Sequence, residues 1–203
     1  MIPDIERTNI VIVGRWNRFI LNPEWVSKTL FETDKMQVEF SFDLLLPPRY
    51  SIDSIRLTTL DDRVIITPLE YTDDVMQTAE VISLKLINLL PHTPLTGIGF
   101  NYGYQCEGSL INQILEFKDK LDAEVHASMS FISWKRSYKF DDYLLNVEQS
   151  KNEDKLFIDF NYHFTNAYFK ENLDVLNSKI VELKKRTELI IKNTYGEECN
   201  DIE

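Results

Sequence analysis

The segment from residue 156 to residue 164 has apolar or aromatic side chains at every second position and, apart from Phe157, polar ones between them. Apolar or aromatic residues occupy every second position, namely Leu156, Ile158, Phe160, Tyr162 and Phe164. The positions between them hold Phe157, Asp159, Asn161 and His163. Because successive side chains of a β-strand point to opposite faces of its sheet, this pattern predicts a strand with one buried face and one wet face.

Residues 95–104 show the same alternation. Ile98, Phe100, Tyr102 and Tyr104 form one set, and glycines with Asn101 lie between them. We therefore expect a sheet whose one face is aromatic and aliphatic beneath helices. The other face should be small, polar and solvated.

Further strands and helices follow from apolar periodicity, caps and prolines. In the first half we expect strand 10–13, helix 23–31, strands 38–44, 51–58 and 63–67, and helix 73–90. In the second half we expect strand 95–104, helix 109–121, strands 128–140, 143–148 and 155–164, and helix 167–195. The order β-α-β-β-β-α thus occurs twice.

This order predicts an α+β fold with one large, mostly antiparallel sheet of about eight strands and helices on one face. We expect a single domain over residues 1–203, made of two pseudo-repeated halves at about 8–92 and 93–196. A long helix ends the second half. Residues 197–203 should form a frayed acidic tail.

The charge of the chain limits its partners. Lys and Arg number 22 against 33 Asp and Glu, which gives a net charge of -11. This charge is spread over both halves, so no basic nucleic-acid arm is present. It favours a basic protein partner and argues against nucleic acid or an anionic membrane.

The remaining composition indicates a cytoplasmic protein without a membrane span. The two cysteines form no CxxC pair, and the N-terminus has no basic and apolar signal-peptide pattern. There is no GxSxG, P-loop or HExxH motif. We therefore predict no catalytic residue, no metal site and no cofactor.

Polar residues on the two alternating strands are candidates for a binding site. If those strands are neighbours, Asn101, Asp159, Asn161 and His163 form a polar cluster. The sequence Leu-Pro-His-Thr-Pro could also present His92 rigidly at a sheet edge. The alternative for His92 is a hydrogen bond to the last carbonyls of the preceding helix.

One strand combines basic and aromatic residues. Trp134, Arg136 and Tyr138 should share a face, a pattern typical of single-stranded nucleic-acid binding. The alternative is cross-strand packing, with the charges protecting a sheet edge from aggregation.

The C-terminal helix carries an apolar stripe with the 3-4 spacing of a heptad. Its members are Leu173, Leu176, Ile180, Leu183, Thr187 and Ile190. The stripe is a candidate for homo-oligomerisation. The alternative is a helix that packs along its own sheet.

Several stretches resemble a group of uncharacterised bacterial proteins. They are Gly-Arg-Trp-Asn at 14–17, Asn-Pro-Glu-Trp-Val at 22–26, Leu-Pro-His-Thr-Pro at 90–94, Gly-Ile-Gly-Phe-Asn-Tyr at 97–102 and Asp-Phe-Asn-Tyr-His-Phe at 159–164. The doubled element order is also similar to the saddle of the TATA-binding protein. That second likeness is topological, and the acids Glu39, Asp43 and Asp159 on the expected wet face argue against a DNA-binding role.

Three functions are consistent with these observations. The first is a non-enzymatic protein-interaction module, for which an antitoxin, immunity factor or accessory subunit of a bacterial defence complex would fit. The second is a small-molecule or nucleotide-processing enzyme with its site on the polar sheet face. The third is single-stranded nucleic-acid binding through the strand of Trp134.

Overall fold

The computed structural model describes residues 1–40, 47–107, 131–152, 155–165, 177–197 and 199. Within these ranges the predicted α+β class is confirmed, with one large antiparallel sheet and a long C-terminal helix. No helix in the described ranges is long and apolar enough to cross a membrane.

The sheet has nine strands among the described residues, compared with the eight or so predicted. They are β1 Ile2–Gly14, β2 Gln37–Glu39, β3 Arg49–Ile52, β4 Ile55–Thr59, β5 Arg63–Pro68, β6 Leu95–Glu107, β7 Phe131–Lys139, β8 Leu144–Asn152 and β9 Lys155–Thr165. Their order across the sheet is β2-β3-β4-β5-β1-β6-β9-β8-β7. Every pair of neighbours is antiparallel.

The extra strand arises because the single strand predicted over 51–58 is a hairpin. Ile52 pairs with Ile55 across a two-residue turn. Asp53 in this turn has a positive φ of 45°, a conformation that aspartate tolerates better than most residues. The prediction was wrong because the turn contains neither glycine nor proline, and the break in the apolar alternation between Ile52 and Ile55 was overlooked.

Other boundaries also differ from the prediction. β1 begins at Ile2 rather than Ile10, and β2 is Gln37–Glu39, so it begins one residue before the predicted strand 38–44 and does not include Phe40. Residues 41–46, the helix predicted at 109–121 and residues 128–130 lie outside the described part of the chain.

The first two helices begin at the caps that the sequence indicates. The Asn22 side chain accepts a hydrogen bond from the Trp25 main chain at the start of α1, Pro23–Trp25. This helix continues as a π-helical segment, Val26–Phe31. The hydroxyl of Thr72 accepts from the Val75 main chain and caps α2, Asp73–Leu89.

The last helix, α3, covers Lys179–Tyr195. A continuous helix from residue 167 was a wrong prediction, because residues 177 and 178 form a turn in which Ser178 has φ 60°. Ser178 makes no side-chain capping bond. Instead, the carboxylate of Glu80 on α2 accepts hydrogen bonds from the main-chain nitrogens of Lys179 at 3.2 Å and Ile180 at 2.8 Å. Residues 166–176, and most of the predicted tail, lie outside the described ranges.

The described helices cover one face of the sheet, where the aromatic set of β6 and β9 forms the core. Phe100 and Phe164, Tyr102 and Tyr162, and Tyr104 and Phe160 meet edge to face at centroid distances of 5.8, 6.0 and 6.1 Å. This geometry favours the contact between the edge of one ring and the face of the next. Burial raises the pKa of Tyr162 to about 12, and its hydroxyl shares a hydrogen bond with Thr187 of α3.

The apolar stripe of α3 packs on this core. Ile180 and Leu183 are 1% and 0% exposed, and the hydroxyl of Tyr102 donates to the Ile180 carbonyl. Ile190 is partly buried against the same core. Leu173 and Leu176 lie outside the described residues. The described part of the stripe therefore serves the chain's own sheet.

The strand order is alike on the two sides of the sheet centre. β1 pairs with β5, the last strand before α2, and β6 pairs with β9, the last strand before α3 among the described residues. β1 and β6 pair with each other in the middle. β1 and β6 each have thirteen residues, and their pairing joins the two sides of the sheet.

Candidate functional site

The face of the sheet opposite the helices carries a line of amide side chains. We call this face the open face, because no helix in the described ranges covers it. Asn9, Asn101, Asn161, Asn146 and Ser137 are direct cross-strand partners on β1, β6, β9, β8 and β7. We call these five residues the asparagine row.

Hydrogen bonds run along the asparagine row in one direction. The hydroxyl of Ser137 donates to Asn146 Oδ1 at 2.6 Å. Each asparagine Nδ2 then donates to the next Oδ1: Asn146 to Asn161 at 3.0 Å, Asn161 to Asn101 at 2.7 Å, and Asn101 to Asn9 at 2.8 Å. The row thus crosses five adjacent strands without a break.

The register of the sheet explains why these side chains meet. Directly opposed residues in antiparallel strands have Cβ atoms about 5 Å apart, within reach of two short amide side chains. Asn146, Asn161 and Asn101 each use one N–H and part of the oxygen inside the row, whereas Asn9 uses only its oxygen. A second N–H and a second lone pair remain on each asparagine, repeated at the strand spacing of about 4.8 Å.

A large bulge in β1 lies beside the row. Asp4 pairs with Gly103 and Asn9 with Asn101, so residues 5–8 stand opposite the single residue Tyr102. The hydroxyl of Thr8 donates to the Asp4 carbonyl and accepts from the Gly103 main chain, which fixes the bulge to β6. Bulges often redirect side chains next to functional sites.

The bulge points two charged side chains to opposite sides of the sheet centre. Glu6 accepts hydrogen bonds from Arg56 of β4 at 3.1 Å. Arg7 forms an ion pair with Asp159 of β9, and its guanidinium lies 4.1 Å from the ring centroid of Phe157. Ion pairs therefore link β1 to β4 on one side and to β9 on the other.

Glycines of β6 leave room for side chains to lie flat on the open face. A Cβ atom at Gly97 would come within 2.6 Å of His163 Cε1, so the imidazole of His163 covers this glycine. A Cβ atom at Gly103 would come within 2.2 Å of Arg7 Cβ. The small residues are needed here for close approach rather than for a turn.

Burial raises the pKa of Asp159 above its ordinary value, and the neighbouring Arg7 opposes this effect. A carboxyl group with a raised pKa in the folded state binds protons more tightly when the protein is folded. Its contribution to stability is complete below the unfolded pKa and decreases as pH rises through the folded pKa.

We expect the wild type to lose stability relative to Asp159→Asn as pH rises from about 4 towards 7. Urea denaturation of both proteins across this range measures the difference, since asparagine does not titrate. If the wild type instead gains stability relative to Asp159→Asn as pH rises, then Arg7 lowers the pKa of Asp159 more than burial raises it, which contradicts the prediction.

The structure brings only two of the four residues of the predicted polar cluster into contact with each other. Asn101 and Asn161 are hydrogen-bonded to each other, as neighbouring strands require. Asp159 and His163 lie on the same face of β9 but contact Arg7 and Gly97 respectively.

His92 is exposed in the turn between α2 and β6, outside the asparagine row. No group of three or more potential metal-ligating His, Cys, Asp or Glu residues occurs within the described ranges.

The other predicted strand site lies on β7, at the end of the described sheet. Trp134, Arg136 and Tyr138 share the face opposite to Ser137, and the two aromatic residues are 39% and 46% exposed. They are separate from the asparagine row.

Sequence reasoning missed Asn9, Asn146 and Ser137. Asn146 and Ser137 were detectable as polar residues on predicted strands, but their register was not. Asn9 could not be placed, because the bulge shifts the pairing of β1 between Asp4 and Asn9.

An apolar groove of about 410 Å³ lies on the other side of the molecule, between the π-helical segment, the β3–β4 turn and α2. Phe31, Ile52 and Ile82 are among its lining residues, and Lys85 at this groove pairs with Glu32. The groove contains none of the predicted site residues.

The asparagine row is thus the arrangement of polar groups that best suits recognition in the described structure. Comparison of the chain with protein-family models, curated proteins and solved structures finds no match.

Proposed function

We propose that this protein is a non-enzymatic protein-interaction module that binds its partner through the open face. The observation that supports the proposal is the asparagine row, with its unbroken hydrogen bonds across five strands. The row is pre-organised, so a partner does not have to order these side chains when it binds.

The chemistry of the row favours binding over catalysis. Amide groups neither titrate nor act as nucleophiles near neutral pH, but they donate and accept hydrogen bonds at once. An enzyme on this face would need Asp159 or His163 directed at the amides. Asp159 is engaged by Arg7, and His163 lies over Gly97.

The proposed partner is a basic protein. The net charge of -11 attracts a positively charged protein and increases its rate of association. In this proposal the overall charge selects the class of partner, and the asparagine row supplies the specific hydrogen bonds. An antitoxin, immunity factor or defence-complex subunit remains the kind of protein that we expect.

Affinity capture from an extract of the source organism tests this function. We expect the wild type to recover a basic partner, and Asn161→Ala to recover at least about tenfold less, because Asn161 occupies the middle of the row. Asn193→Ala, at an exposed position of α3, is the matched control and should retain the partner.

Circular dichroism establishes that both variants are folded. Recovery of the bait alone by the wild type would contradict the proposal. Equal recovery by Asn161→Ala and the wild type would contradict binding through the open face.

We also propose that the two halves, at about 8–92 and 93–196, derive from an internal duplication. This is supported by the corresponding pairings β1 with β5 and β6 with β9 on the two sides of the sheet centre.

A further inference from the structure

The strand β7 forms one end of the sheet in the described part of the chain. Its nine residues pair with β8 in an unbroken register from Phe131 opposite Asn152 to Lys139 opposite Leu144. Eight of the nine residues are exposed. β7 contains no proline, glycine or bulge, so nothing within it interrupts a regular outer edge.

The hairpin turn shows which main-chain groups of β7 point outwards. Phe140 N donates to the Tyr143 carbonyl, so this pair is hydrogen-bonded across the hairpin. Hydrogen-bonded and non-bonded pairs alternate along antiparallel strands. The N–H and C=O groups of Ser133, Lys135, Ser137 and Lys139 therefore face away from β8.

The charge of β7 differs from that of the chain. It carries Lys135, Arg136 and Lys139 and no acidic residue, although the net charge of the protein is -11. None of these three side chains forms an ion pair with another described residue. An exposed edge with this charge repels a second copy of itself, because antiparallel pairing would bring like charges together.

We propose that the outer edge of β7 binds an acidic, extended segment of another protein as an added strand. Main-chain hydrogen bonds to Ser133, Lys135, Ser137 and Lys139 provide the affinity. Acidic side chains opposite Lys135 and Lys139 provide the selectivity. On the other face, Tyr138 offers exposed aromatic surface to apolar residues of the added segment. This surface meets the asparagine row at Ser137, whose hydroxyl belongs to the row and whose main-chain groups belong to the edge.

Hydrogen exchange tests the geometry first. In the protein alone, the outward amides of Lys135, Ser137 and Lys139 should exchange much faster than those of Arg136 and Tyr138, which bond to β8. Equal protection of both sets would overturn the proposal, because the outer edge would then already be occupied.

Peptide titration followed by NMR tests the occupant. The probe is an acetylated and amidated peptide of alternating glutamate and valine, as long as the nine residues of β7. It should shift the amide signals of β7 and slow exchange at Lys135, Ser137 and Lys139. A lysine-valine peptide, and a glutamate-valine peptide N-methylated at alternate residues, should each bind at least about tenfold more weakly.

Two sets of variants separate peptide binding at the edge of β7 from binding through Asn161, in the middle of the asparagine row. Lys135→Glu with Lys139→Glu should reverse the preference between the two charged peptides, whereas Asn161→Ala should leave it unchanged. Equal binding of both charged peptides, no shifts at β7, or self-association of the protein through β7 would overturn the proposal.

Discussion

Replacing Glu80 with alanine is expected to lower the free energy of unfolding by about 3 kcal/mol, because it leaves buried N–H groups without an acceptor. Glu80 is 3% exposed and accepts hydrogen bonds from the main chains of Lys179 and Ile180. These are the first residues of α3, where helical N–H groups have no partner within the helix. Ser178 makes no side-chain cap, so the carboxylate from α2 performs this function.

Urea denaturation at constant pH measures this effect. Gln77→Ala is the matched control, since Gln77 is an exposed position on the same helix and should change stability by less than about 0.5 kcal/mol. A loss below about 1 kcal/mol for Glu80→Ala would mean that water satisfies the start of α3 after the substitution. Burial raises the pKa of Glu80, so the comparison is best made at a single pH.

Gly103→Ala should destabilise the centre of the sheet by about 3 kcal/mol, near the upper end of the usual cost of overpacking. The new methyl group would lie 2.2 Å from Arg7 Cβ and 3.2 Å from Asp159 Oδ1. This clash can be relieved only if the β1 bulge moves, because Arg7 Cβ is bonded directly to the backbone. We expect the ion pair between Arg7 and Asp159 to weaken as the bulge moves.

A double-mutant cycle with Arg7→Gly tests this explanation. Removing Arg7 Cβ should reduce the cost of Gly103→Ala by at least about 1 kcal/mol. Gly99→Ala provides the comparison, because its nearest contact is the terminal amide nitrogen of Asn161 at 3.0 Å, which can move more easily. Additive effects of Arg7→Gly and Gly103→Ala would show that the strain lies elsewhere.

Periodicity was sufficient to predict β6 and β9 and their division into an aromatic and a polar face. Alternation in β6 and β9 identified the buried aromatic set, and caps at Asn22 and Thr72 located two helix starts. These signals are local, so they can be detected in a single sequence.

Features that depend on pairing between distant residues could not be predicted in the same way. The asparagine row exists because five strands share one register, and the bulge in β1 sets that register at Asn9. The acceptor for the start of α3 is about a hundred residues away in sequence, at Glu80. The hairpin turn at Asp53 was missed for a different reason, since Asp-Ser lacks the glycine that is typical of two-residue hairpin turns.

The central position of β1 has a consequence for synthesis on the ribosome. β1 is synthesised before both of its partners, β5 and β6, which end only at residues 68 and 107. At the usual rate of about 5–20 residues per second, the apolar run Ile10 to Val13 waits about 5 to 20 seconds for its second partner. During that time the nascent chain exposes β-branched residues that are buried in the folded protein, so chaperones are expected to bind this segment until β6 has been made.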